Sequence, residues 1–212
     1  MPDVLLLMDT DIVSYMGRKK PPPGLRPWLL QVGIHRLGLS YPVITELMRG
    51  AHLRHRDDPE RAARITAWVD RIVATDFPVP EMSHAVAATY AHMTSIPALK
   101  HLWTIPKGQT SDRLGHDVMI AALAITHQLP IITANVADFL KIHEWCPLPG
   151  LYHPLTSRWH VYPPFDVSLP PFDPEQPDPS DGILPKVEPD VATHPSETVE
   201  TAESSPYPAP FG

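Results

Sequence analysis

The chain has 212 residues, one cysteine (Cys146) and a formal net charge of -7. A single cysteine excludes an internal disulfide, and no apolar run approaches the roughly 18 residues of a membrane span. Residues 4–8 are too short for a secretory h-region and lack a basic flank, so the composition fits a soluble, cytoplasmic protein of one domain or two small ones.

The charge is unevenly spread. From Tyr162 onward ten acids stand against one base, Lys186, which leaves 16 bases and 14 acids in the first 161 residues. The body is therefore close to neutral, and an acidic total does not argue against nucleic acid as a partner.

The first element is a buried strand over residues 4–8, Val-Leu-Leu-Leu-Met, running into Asp9-Thr10-Asp11. Continuous apolar runs of this kind suit a parallel sheet covered on both faces. Asp9 then either emerges at the carboxyl edge of the sheet or caps the following helix. A helix starts over residues 12–16 and gives way to a basic, proline-rich turn, Gly17-Arg18-Lys19-Lys20-Pro21-Pro22-Pro23-Gly24. Helical spacing covers residues 25–36, a short strand residues 38–42, and a helix residues 43–56 with Glu46 in its first turns. Asp57-Asp58-Pro59-Glu60 is a helix start, and that helix runs to about Ala74. A strand end is predicted around Asp76-Phe77-Pro78, a helix over residues 81–95, a break at Pro97 and a loop over 103–110. Gly115-His116-Asp117 opens the most apolar helix, residues 118–126, and residues 129–133 form a second buried strand. A short helical turn over 135–140 and a last strand over 150–153 complete the body. Strands alternating with helices define an α/β layered domain with a mostly parallel sheet over residues 1–160. Residues 161–212 are proline-rich and acidic with no apolar period, the composition of a disordered tail.

In a parallel sheet Asp9, Glu46, Asp117, Asn135 and Asp138 all fall at one edge. Two carboxylates about 4 Å apart repel by about 4 kcal/mol at an effective dielectric of 20, so such a cluster stays ionised only with a cation. Oxygen-only donors favour Mg²⁺, or Mn²⁺, over Zn²⁺. Each acid also has a plainer reading, as a helix cap or a solvated surface group. The twelve histidines are too scattered for zinc, and His116 fits a surface position beside Asp117. Arg18, Lys19, Lys20, Arg49, Arg54, Arg56 and Arg113 are candidates for tracking an RNA backbone.

Four blocks occur in order: Leu7-Met8-Asp9-Thr10-Asp11-Ile12-Val13-Ser14, Leu39-Ser40 through Thr45-Glu46-Leu47-Met48-Arg49-Gly50-Ala51, Gly115-His116-Asp117-Val118-Met119-Ile120-Ala121-Ala122, and Ile131-Ile132-Thr133-Ala134-Asn135-Val136-Ala137-Asp138-Phe139. In these the chain resembles the PIN-domain family, and within it the VapC-type toxins of bacterial toxin–antitoxin pairs. The resemblance covers roughly residues 4–155 and implies a three-layer PIN-like fold and a Mg²⁺-dependent endoribonuclease. It implies a metal site of Asp9, Glu46 and Asp117, with Asn135 and Asp138 completing the catalytic group. Asp11 stands where the family often has Asn, and Val43 where it often has Thr. A small antitoxin protein and a second copy of the chain are the partners implied, with RNA as substrate.

Two other functions fit parts of the pattern. A haloacid-dehalogenase-like phosphatase would use Asp9 as nucleophile and Asp11 as its acid partner, with a strand ending near Asp112. A non-catalytic PIN-like binding domain would follow from Asn135 standing where an acid is common.

Overall fold

The structure, a computed structural model, describes residues 4–104 and 115–178. The first strand, β1 (Leu6–Met8), is buried along its length and lies inside a five-stranded sheet. On one side it pairs in parallel with β2 (Leu37–Gly38), placing Leu6 opposite Leu37 and Leu7 opposite Gly38. On the other side it pairs in parallel with β3 (Ile131–Ile132), placing Met8 opposite Ile132. β3 continues in parallel to β4 (Leu151–His153), and β5 (Arg158–Val161) closes the far edge antiparallel to β4. The order is β2-β1-β3-β4-β5. The chain leaves β1 toward one side and later returns on the other. A crevice therefore opens beyond the carboxyl ends of β1 and β3, where open parallel sheets collect their functional groups.

Seven helices flank the sheet among the described residues. α1 (Thr10–Gly17) follows β1 without a loop, and α2 (Leu25–Val32) follows the proline turn. α2 is shorter than its spacing predicts, because Gly33 at φ 92° turns the chain before the 3-10 turn Ile34–Arg36. α3 (Tyr41–His55) lies against α1 and α4 (Pro59–Val73). Asp58 caps α4 by accepting the Arg61 N–H at 2.9 Å, as the Asp-Pro signal predicts. α5 (His84–Ser95) packs on α6 (Asp117–His127), and α7 (Val136–His143) packs on α6 and β4. Six residues of α6 are buried, from Val118 to Ala124, which accounts for its lack of a polar face.

The predicted strand near Asp76-Phe77-Pro78 does not form. Phe77 is buried, and the Pro78 carbonyl accepts the Leu39 N–H at 2.9 Å, so the segment lies extended beside β2. Pro78 and Pro80 have no N–H to continue a ladder. The predicted loop over 103–110 lies largely outside the described residues.

The first part of the proline-rich tail makes contacts with the body. Residues 163–178 run as a strap over α2. The Trp28 indole donates to the Pro170 carbonyl at 2.9 Å, and Arg36 donates to the Ser168 carbonyl at 2.9 Å. Val167, Leu169 and Phe172 pack against the core, and buried Arg26 pairs with Asp178 at 3.9 Å. Gly24, at φ 76°, lies so close to the strap that a Cβ there would collide with the Asp173 carbonyl. The rest of the predicted tail, residues 179–212, lies outside the described residues. A chain ending after residue 178 should unfold in urea at the same midpoint as the whole protein. One ending after residue 162 should lose roughly 1–3 kcal/mol, from partial re-exposure of three apolar side chains. Equal midpoints for both truncations would show that the strap contributes nothing.

Candidate active site

Each predicted acid reaches the crevice from a different element. Asp9 follows β1 directly and is 3% exposed. Its two plausible roles coincide: Oδ1 accepts the Thr10 N–H at 2.6 Å as the cap of α1, and Oδ2 accepts the Thr133 hydroxyl at 2.7 Å. Thr133 follows β3, is fully buried, and takes the Asn135 N–H on its own oxygen at 2.8 Å. One hydroxyl thus ties the end of β1 to the loop that presents Asn135.

Asp11, in the first turn of α1, accepts the Ala134 N–H on Oδ2 at 2.8 Å. Its Oδ1 is buried with no partner among the described residues. Glu46, from α3, accepts the Thr10 hydroxyl at 2.9 Å and lies 3.5 Å from His116 Nδ1. His116 is mostly buried against Glu46, with a side chain 13% exposed, so its expected surface placement does not hold. Asp117 opens α6 and accepts the Asn135 side-chain amide at 3.2 Å. The same amide donates to Asp138 at 3.1 Å, and Asp138 pairs with Lys141 at 2.8 Å.

Asp9, Glu46, Asp117, Asn135 and Asp138 therefore belong to one connected network. Sequence reasoning missed its connectors. Thr133 reads as an ordinary strand residue, and Thr10 as a residue between the first strand and the helix predicted from residue 12. A hydroxyl between two acidic segments was the available signal.

The electrostatics show what the network lacks. Burial, then the charges of Asp11 and Asp117, push the Asp9 carboxyl well above its ordinary value, against the pull of its two hydrogen bonds. Burial also raises Asp11, although backbone N–H groups partly offset it. Asp117 is pushed up to about 6 by burial first, then by Asp138, Glu46 and Asp11, with His116 acting weakly the other way. Only Asp138 lies low: burial works against its ionised form, but Lys141, Asn135 and His101 outweigh it.

Five carboxylates and an amide surround this point, and Lys141 is bonded to Asp138. Among the described residues no three carboxylates, imidazoles or thiols close to the spacing of a finished ligand shell. The donor chemistry nevertheless fits a hard divalent cation. The carboxylate oxygens dominate the available atoms, Asp11 Oδ1 and His116 Nδ1 are buried without a hydrogen-bond partner among the described residues, and the raised acids carry a burial cost and repulsion that a cation would relieve.

No family model matches the sequence, and no curated protein matches it. Solved structures do. The chain is similar to one in the crystal structure of VapBC2 from Rickettsia felis bound to a DNA fragment from its promoter. Identity is 18%, the TM-score is 0.49, and the match covers 74% of this chain and 99% of that one. It is also similar to a chain of FitAcB from Neisseria gonorrhoeae, at 23% identity and TM-score 0.48, covering 65% of this chain and 93% of that one. A toxin–antitoxin complex from Klebsiella pneumoniae matches at 21% identity and TM-score 0.36, over 63% and 89% of the two chains. Identities this low leave the activity to be argued from the site's own chemistry.

Proposed function

We propose that the protein is a Mg²⁺-dependent endoribonuclease of the toxin type, with Asp9, Glu46 and Asp117 holding the ion and Mn²⁺ able to replace it. The observation that supports this most is the meeting of buried carboxylates at the crevice between β1 and β3, where burial first and then neighbouring negative charge raise both Asp9 and Asp117. A bound divalent ion supplies a Lewis acid for phosphate oxygens and makes a water acidic enough to attack phosphorus.

The chain's own residues set the stage for that chemistry. Thr133 fixes the direction of Asp9, and Thr10 with His116 fixes Glu46. Asn135 bridges Asp117 and Asp138 by donating one amide nitrogen to both, which restrains two carboxylates that would otherwise repel. Locked donors of this kind lower the reorganisation a reaction needs. A small antitoxin protein that covers the crevice, a homodimer and a cytoplasmic location complete the reading. Among the described residues no helix is long and apolar enough to cross a membrane.

The phosphatase alternative fits less well. That reading gives no role to Glu46, Asn135 or Asp138, which the hydrogen-bond network joins to Asp9 and Asp117. Asp112, where that reading places a strand end, lies outside the described residues.

Defined single-stranded RNAs incubated with the purified protein test the proposal. Cleavage should require Mg²⁺ and should vanish in Asp9→Ala. Metal-independent cleavage, or equal cleavage by Asp9→Ala, would overturn it.

A further inference from the structure

An acidic crevice repels the substrate assigned to it. An RNA phosphodiester is an anion, and placing it beside a cluster of carboxylates costs energy that one ion only partly returns. A second source of positive charge should lie next to the crevice. Among the basic residues singled out in the sequence, Arg18, Lys19 and Lys20 lie in the turn after α1 rather than in the network. Arg18 stacks over Tyr15 at 4.4 Å, Lys19 and Lys20 are exposed in the proline turn, and Arg113 lies outside the described residues.

The hairpin of β4 and β5 supplies one. A cavity of about 350 Å³ lies between the start of α7 and this hairpin, lined by Asn135, His153, Thr156, Arg158 and His160 together with the first turn of α7. It shares Asn135 with the acidic network, so the two sites are contiguous. Arg158 is exposed and faces His153 across the β4–β5 pairing. Among the described residues no carboxylate forms an ion pair with Arg158. His153 Nδ1 is buried and has no hydrogen-bond partner among the described residues, and its ring lies 6.5 Å from that of His160. Burial, then Arg158 and His153, hold the His160 imidazole below its usual value, so Arg158 carries the standing charge here. The arrangement has a guanidinium, imidazole nitrogens and a threonine hydroxyl around a space large enough to admit a phosphate group with part of its chain, beside an amide of the acidic network. Those groups suit phosphate oxygens, and arginine offers them paired N–H donors.

We propose that this cavity is a phosphate subsite that seats the RNA backbone phosphate next to the one being cleaved, with Arg158 as its principal contact and His160 and Thr156 as supporting donors. The proposal rests on the ribonuclease reading for the identity of its ligand. The subsite lets a polyanion approach an acidic centre and orients it along the β4–β5 edge. β5 then becomes a functional addition to the sheet, since it brings Arg158 and His160 to the crevice.

The test uses the full chain and a fluorescein-labelled single-stranded RNA of about 12 nucleotides. Binding is followed by anisotropy without divalent ions across a salt series, and cleavage with Mg²⁺ is measured in parallel. Arg158→Gln should weaken binding by about tenfold and make the plot of log affinity against log salt shallower by about 0.7, the share of one single-strand phosphate contact. Its loss of kcat/KM should fall mainly on KM. Adding His160→Gln should weaken binding further. If the wild type cleaves RNA but Arg158→Gln binds with unchanged affinity and slope, the subsite is wrong and the nuclease stands. If the wild type does not cleave but Arg158→Gln loses binding, the subsite stands and the nuclease reading fails. If the wild type neither binds nor cleaves, both fail.

Discussion

Asp117→Asn should abolish Mg²⁺-dependent RNA cleavage and, in the metal-free protein at neutral pH, should make the fold more stable. The two effects have one cause. Asp117 is held at about 6 because burial, Asp138, Glu46 and Asp11 all disfavour its charge. Asparagine keeps the size and removes the repulsion. For a half-buried group the relief is on the order of 1–2 kcal/mol after allowance for solvent screening. The cost to catalysis should exceed about 100-fold, because even outer-shell partners of metal ligands cost 10–100-fold. Urea unfolding and a cleavage assay on the same preparations check both. A variant that is less stable and still active would mean that Asp117 is an ordinary helix-start residue, favoured by the dipole of α6.

The second large effect is in pH. A carboxyl whose folded value lies above its unfolded value of 3.8 binds protons more tightly when folded. Asp117 should therefore cost the metal-free protein stability as pH rises from about 4 to about 6. Asp9 and Asp11 are shifted in the same direction and add to the trend. Asp138 works the other way, and its contribution is lost only as pH falls below the ordinary carboxylate range. The difference between wild type and Asp117→Asn cancels the twelve histidines. That difference should be near zero at pH 4 and on the order of 1–2 kcal/mol in favour of the variant at pH 7.5. Mg²⁺ should reverse the order at pH 7.5. It binds ionised carboxylates, so it should raise the melting temperature of the wild type strongly at pH 7.5 and little at pH 5. A pH-independent effect of Mg²⁺ on melting would mean that the ion binds elsewhere.

Much of this was legible in the sequence, for identifiable reasons. β1 and β3 are buried on both faces, so they appear as unbroken apolar runs whose ends point to the crevice. α6 is buried almost all round and carries its acid at the first position, where the change from Asp117 to Val118 is abrupt. Asp58-Pro59 is a local signal with a local cause. What escaped notice depends on long-range contact. β5 reads Arg-Trp-His-Val, an edge strand whose Trp159 and Val161 pack against the core, but four residues are too short an alternation to mark a strand. Arg158 and His160 therefore could not be placed beside Asn135 from sequence alone. Residues 76–78 carry an apolar residue at strand spacing, yet flanking prolines leave them a single bond to β2. In the tail, an average over fifty residues hides Val167, Leu169 and Phe172, which are enough to hold a strap on Trp28 and Gly24. Thr133 looked like a β-former, and its role depends on Asp9, which is 124 residues away.

The central claim is that Asp9, Glu46 and Asp117 share a hard divalent cation. Crystals grown with Mn²⁺ and measured for its anomalous signal test it most directly. A peak within ligand distance of all three carboxylates, lost in Asp117→Asn, is the predicted result. An empty crevice at saturating Mn²⁺, or a peak held by other residues, would contradict it.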